Sequence, residues 1–135
     1  MRSEELKHGS SSMPPARRRH HSLQVWQEAM HLVKEIYRIT SGFPKEEMYA
    51  LVGQMRRAAI SIPSNIAEGS ARTGNKELLQ FLSIARGSLS ELETQVFIAK
   101  ELNYLKDETE LLMRIDKIFG LIGGLIKSIR ARELK

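Results

Sequence analysis

Between Leu78 and Ala99 the chain places an apolar residue at alternating intervals of four and three: Leu78, Leu82, Ala85, Leu89, Leu92, Val96 and Ala99. That spacing gathers all seven on one stripe of an α-helix and scatters them over both faces of a strand. An unbroken repeat of this kind also favours near-parallel packing with a left-handed twist. So long a stripe has to be covered by other helices, and it points to an all-α bundle.

Three further segments supply the cover. A first helix is predicted from about Leu23 to Thr40 and carries two adjacent stripes. One is Leu23, Trp26, Met30, Val33 and Tyr37; the other is Val25, Ala29, Leu32, Ile36 and Ile39. Together they make an apolar face wider than one neighbour normally needs. Gly42 offers a left-handed C-cap, with Phe43 placed to pack back on Tyr37. A second helix is predicted from Pro44, with Glu46 and Glu47 in the first turn, where the helix dipole favours anions. Its stripe is Met48, Val52, Met55, Ala59, Ile62 and Ile66, and Gly69 ends it. Pro63 removes the bond to the Ala59 carbonyl, so a kink is expected there.

The third helix should start near Asn75 as N-cap and stop at Asn103. The fourth should open at Asp107, with Glu110 completing an acidic capping box, and run along Leu111, Ile115, Ile118, Ile122, Leu125 and Ile129. Gly120, Gly123 and Gly124 interrupt it at about 1 kcal/mol each. They mark either a close approach of helices or a local break. Short connections make the four helices antiparallel neighbours, an up-down-up-down four-helix bundle over residues 22–135.

Residues 1–21 have little to bury, and Ser10, Ser11, Ser12, Pro14 and Pro15 sit together there. This segment reads as a flexible basic arm or as an extended start. It holds five bases against two acids, whereas the body holds sixteen against fourteen, for a total of +5. A polyanionic partner is permitted by that balance and not demanded by it. No secretory signal is expected. The longest apolar run, Ile118 to Ile126, is about half a membrane span and is flanked by Lys117 and Lys127. No membrane association is therefore predicted. The absence of cysteine excludes disulfides, thiolate zinc and cysteine nucleophiles, and it suits a reducing cytoplasm.

Catalytic patterns are missing. His8, His20, His21 and His31 form no metal-ligand spacing. Gly69 to Lys76 resembles a phosphate loop, but Asn75 intervenes between the second glycine and the lysine, and no strand precedes it. No nucleophile elbow occurs, and Glu91 and Glu93 are two apart on a helix and so cannot face each other. No catalytic residue, metal ligand or cofactor is predicted, and the chain does not read as an enzyme.

The informative stretch is Gln54 to Arg72. Arg57, Ser61, Ser64 and Glu68 form a polar stripe beside the apolar one, with Arg56 and Asn65 flanking it. On the third helix Ser88, Glu91 and Gln95 interrupt an apolar line of Phe81, Ile84, Ile98 and Leu102. Ser61, Asn65, Glu68, Glu91 and Gln95 therefore read as a structural polar cluster. Two roles compete for the arginines. Arg56 or Arg57 pairs with Glu91 or Glu68 to fix register, or the arginines meet phosphate or another anion. Arg17, Arg18, Arg19, Arg56, Arg57 and Arg72 are the candidate contacts to nucleic acid or a partner.

Gln24-Val25-Trp26-Gln27, Phe43 to Glu47, Gln54 to Arg72 with Ser61 to Gly69 as its core, and Phe81 to Gln95 resemble one family. It is the four-helix-bundle family of proteins encoded in intervening sequences of 23S ribosomal RNA genes, which is similar to the accessory variability proteins of diversity-generating retroelements. The resemblance spans about residues 22–105, and the fourth helix fits it more loosely. It implies a homopentameric barrel and a non-enzymatic protein that binds RNA or a nucleoprotein. The near-neutral body departs from the strongly basic retroelement proteins. A structural or protein–protein interaction module without a nucleic-acid role is the alternative.

Overall fold

A computed structural model of the chain describes residues 18–134. The described part is helical throughout: α1 spans Gln24–Thr40, α2 Leu51–Ala71, α3 Asn75–Glu101 and α4 Thr109–Glu133. Each helix packs on its two neighbours, α1 on α2 and α4, and α3 on α2 and α4, with α2 and α3 in the most extensive contact. The result is a four-helix bundle with one continuous core. It contains no strand among the described residues.

The apolar stripe of α3 is buried in full, from Leu78 to Ala99. On α1 the stripe from Val25 to Ile36 forms the core. The other stripe lies on its flank, where Trp26 is buried but Met30 and Tyr37 are not. On α4 Ile126 takes the buried position expected of Leu125, which is only partly covered.

Helix ends depart from expectation in several places, among them the start of α3, where Gly74 is the N-cap and Asn75 the first helical residue, and that of α4, which begins at Thr109. Gly42 is not a left-handed cap; α1 closes in right-handed turns, with Gly42 N–H donating to the Ile39 carbonyl and Phe43 N–H to that of Thr40. Phe43 then packs on Tyr104, with ring centroids 5.3 Å apart, and not on Tyr37. Pro44 introduces a short 3-10 turn, Lys45–Glu47, so α2 starts later, at Leu51. Gly69 does not terminate α2, which runs through Pro63 and on to Ala71. Gly69 is buried against α3 instead, where an added β-carbon would stand 2.8 Å from Cβ of Phe81.

Asn103 does stop α3. It has a φ of 63°, the only left-handed residue other than glycine among those described. Its N–H donates to Lys100 O at 3.0 Å, and that of Tyr104 to Ala99 O at 2.9 Å, the paired bonds of a Schellman end. Asp107 Oδ1 accepts the Thr109 amide at 2.9 Å and so caps the start of α4. The three glycines of α4 sit in unbroken helix, yet a β-carbon on any of them would meet nothing within 4 Å. Neither close helix approach within the protomer nor a break accounts for them.

Of the segment read as an arm, residues 1–17 lie outside the described residues. Its last part is folded: Arg19–Ser22 forms a 3-10 turn against α1 and α2.

Candidate functional site

The polar stripe of α2 meets α3 through hydroxyls. Ser61 Oγ and Ser88 Oγ are 2.7 Å apart. Asn65 Nδ2 donates to Ser61 Oγ at 2.9 Å and to the Ser61 carbonyl at 2.8 Å. The sequence-predicted cluster thus holds together at Ser61 and Asn65, with Ser88 joining it. Glu68, Glu91 and Gln95 are elsewhere. Glu68 pairs with Arg72 one turn on, at 2.8 Å. Glu91 is exposed. Gln95 is buried, and its Oε1 has no donor among the described residues.

The predicted register-fixing ion pair is not formed. Arg56 Nε donates to Thr40 Oγ1 at 3.0 Å, and its guanidinium lies over the Tyr37 ring, 4.4 Å from the centroid. It therefore fastens α2 to the end of α1. Arg57 is exposed and folds back along its own helix, so that a β-carbon on Gly53 would meet its Nη1 at 3.3 Å. Among the described residues neither Arg56 nor Arg57 forms an ion pair with Glu91 or Glu68, and Glu68 is taken by Arg72.

The five described candidate arginines form no single cluster. Arg17 lies outside the described residues, and Arg18 and Arg19 are exposed beside α1. Arg72 is held by Glu68, approaches Glu77 at 3.8 Å, and sits over the Phe81 ring at 5.1 Å. It stands about 24 Å along α2 from Arg56 at the usual helical rise.

Two grooves were not foreseen. The first lies between α1 and α2, has a volume of about 340 Å³, and is lined by Trp26, Met30, Val33, Ile60, Pro63 and Ala67 among others. His20 closes one end, with its ring 5.2 Å from that of Trp26 and 4.4 Å from that of His21. Burial chiefly, with the charges of His21 and Arg18, holds the His20 imidazole below its ordinary pKa. The unused apolar stripe of α1 was the sequence signal for this groove. The second groove, about 410 Å³, lies between α3 and α4 and joins Arg86 to Lys127 and Arg130 over a floor that includes Gly123, Ile126 and Ala131. Its signal was a lack of acids: α3 has only Arg86 charged between Leu78 and Ser90, and α4 has no acid from Lys117 to Arg132.

Apolar residues also stay uncovered on the α3 line. Ile84, Ile98 and Leu102, like Met30, Tyr37 and Ile60 by the first groove, are between 41% and 51% exposed. Among the described residues no group of three or more His, Asp or Glu is placed to hold a metal ion, and no helix is long and apolar enough to cross a membrane.

No curated protein matches the chain. A family model does, the 23S rRNA-intervening sequence protein, over residues 21–124. That match takes in α1, α2, α3 and α4 as far as Gly124, so that it holds Arg86 and Gly123 of the second groove but not Lys127 or Arg130, and the chain belongs to the family of 23S rRNA-intervening sequence proteins.

Proposed function

We propose that the protein is a non-enzymatic bundle that assembles with copies of itself and, in that form, binds RNA or a nucleoprotein. The observation that carries this reading is the apolar surface left uncovered on either side of α2: Met30, Tyr37 and Ile60 on one flank, Ile84, Ile98 and Leu102 on the other. An isolated protomer gains nothing from exposing such faces, and patches of this kind mark association surfaces. Two different patches fit a head-to-tail contact, and such a contact makes a ring when the rotation from copy to copy closes. A ring of five is the assembly that the family resemblance implies. The RNA half is supported by the family's description, which names a 23S rRNA intervening sequence, and by the basic residues of the arm.

Light scattering coupled to absorbance at two wavelengths tests both halves. The expected result is a particle of several 15.4 kDa protomers, with excess short-wavelength absorbance that nuclease removes. A single-protomer mass overturns the assembly, and a protein-only spectrum together with no binding of added RNA overturns the RNA role.

One observation favours a second reading, a protein-interaction module without nucleic acid. Arg38, Arg72, Lys100, Arg114 and Lys117 each have a carboxylate oxygen within 3.8 Å, so much of the body's positive charge is already neutralised. An assembled particle free of nucleic acid is the outcome that this reading requires.

A further inference from the structure

We infer that the groove between α3 and α4 is where this protein holds the phosphate backbone of RNA, with Arg86 on one wall and Lys127 and Arg130 on the other. The inference rests on the RNA half of the proposed function and gives it a place.

Charge is the first argument. All three cations are exposed, and none has an ion pair or hydrogen-bond partner among the described residues, unlike Arg38, Arg72, Arg114, Lys100 and Lys117. Among the described residues no carboxylate lines the groove. Arg130 in the last turn of α4 has an ordinary role in answering the helix dipole. That role does not extend to Arg86, which stands near the middle of α3, or explain why three unneutralised cations share one cleft.

The lining is the second argument. Besides the cations it offers Gly123, Ile126, Ala131 and Leu134, with no aromatic ring on which a base would stack and no amide to read a base edge. Stacking and edge recognition are what single-stranded and sequence-specific sites use. A cleft with cations and small apolar side chains suits backbone phosphates and sugars instead, and so structured RNA recognised by shape. The glycines add access. Gly123 is in the groove, and a β-carbon there, or on Gly87, Gly120 or Gly124 nearby in the chain, would meet nothing within 4 Å. The helix surface is kept low, at a cost that packing inside the protomer does not explain.

The test is binding of a labelled RNA hairpin to the full chain across a salt series. R86Q/K127Q/R130Q removes the cations. K34Q/K45Q/K76Q removes the same charge from exposed sites elsewhere. G123L fills the groove with no change of charge, in space that the structure leaves open. Three phosphate contacts make the expected loss for the groove triple variant about 10-fold to 1,000-fold, with a salt slope shallower by about 2–3, while the control triple stays within about 3-fold of the parent. G123L is expected to weaken binding as well, by about 10-fold if the backbone enters the cleft. Circular dichroism and light scattering accompany each variant.

If the parent chain binds no hairpin, the RNA role fails and this inference fails with it. If the parent binds but the groove triple and G123L bind as tightly as the control, the RNA role stands and the groove is not its site. If polyglutamate displaces the hairpin at equal charge, the cleft takes acidic protein, and the RNA assignment is overturned. If the groove variants change the particle mass instead of RNA affinity, the cleft is a contact between copies, and the assignment is again overturned.

Discussion

Gly69 on α2 faces Phe81 on α3 so closely that a β-carbon on the glycine would lie 2.8 Å from Cβ of Phe81 and 3.1 Å from Cδ1 of Leu78. The larger of those conflicts is with an atom fixed to the backbone, so Gly69→Ala has to part the two helices that share the largest contact in the bundle. The expected cost is about 1–3 kcal/mol, as for other overpacked cores. Chemical denaturation should show it as a lower midpoint; an unchanged midpoint would mean that α2 and α3 are further apart than described.

Gly124 is the opposite case. It is exposed in the middle of α4 with open space where its side chain would be. Gly124→Ala should stabilise the helix by about 1 kcal/mol. In a domain of this size that raises Tm by about 3–5 °C. A fall in Tm would place Gly124 against a neighbouring copy.

Arg56 and Arg57 are adjacent in sequence and should differ in a melting experiment. Arg56→Ala loses the bond to Thr40 Oγ1 and the contact with the Tyr37 ring, together worth about 1–2 kcal/mol. Thr40 keeps its bond to the Ile36 carbonyl, so no buried hydroxyl is orphaned. Arg57→Ala removes an exposed side chain with no partner among the described residues and should stay within about 0.5 kcal/mol of the parent. Equal losses in the two variants would contradict this division of roles.

Ser61 is the node of the α2–α3 polar contact. Ser61→Ala severs the bonds to both Ser88 and Asn65, at an expected cost of about 1–2 kcal/mol. Ser88→Ala severs one of them. In a double-mutant cycle the pair should show a coupling of about 0.5 kcal/mol or more; additive losses would show that the two hydroxyls do not interact.

The chain's single tryptophan reports on His20. Because burial and the neighbouring charges depress its pKa, the folded state binds the proton more weakly than the unfolded state does. Stability is then complete above the ordinary histidine pKa and declines as the pH falls from that value through the lower, folded one. With the His20 ring 5.2 Å from Trp26, protonation should quench indole fluorescence with a midpoint below that of free histidine. Because the His21 ring also lies 5.3 Å from Trp26, His20→Gln should remove only the low-midpoint component of that quenching, and a His20 midpoint at or above the free value would contradict the depressed pKa.

Much of this architecture was legible because some patterns have one solution. The α3 repeat can be buried only by a helix lying along its length, and Asn103 could stop that helix because a left-handed turn suits its side chain. Gly69 was misread because a cap and a helix contact ask for the same residue, and only the identity of what lies opposite separates them. On α1 two stripes were equally good candidates, and the choice fell to whichever faced the core shared by the four helices. The arginine pairing failed for a related reason: helical spacing says which residues share a stripe, not what stands across from it. Of the α3–α4 groove only the acid-free runs on each helix were legible, because Arg86 and Lys127 come to share a cleft only through the packing of the two helices.

Tyr104 hydroxyl donates to Glu47 Oε2 at 2.8 Å, and its ring rests on Phe43. The connection between α1 and α2 is thus pinned to the connection between α3 and α4, and one pole of the bundle is buckled shut. The carboxylate beside it raises the pKa of the Tyr104 phenol. In strong alkali the phenol loses the proton that it lends to Glu47, two negative charges then face each other, and the buckle opens at that pole alone. The pole with the cationic cleft has no such fastening from Tyr104, so alkali should loosen the two ends of the molecule unequally.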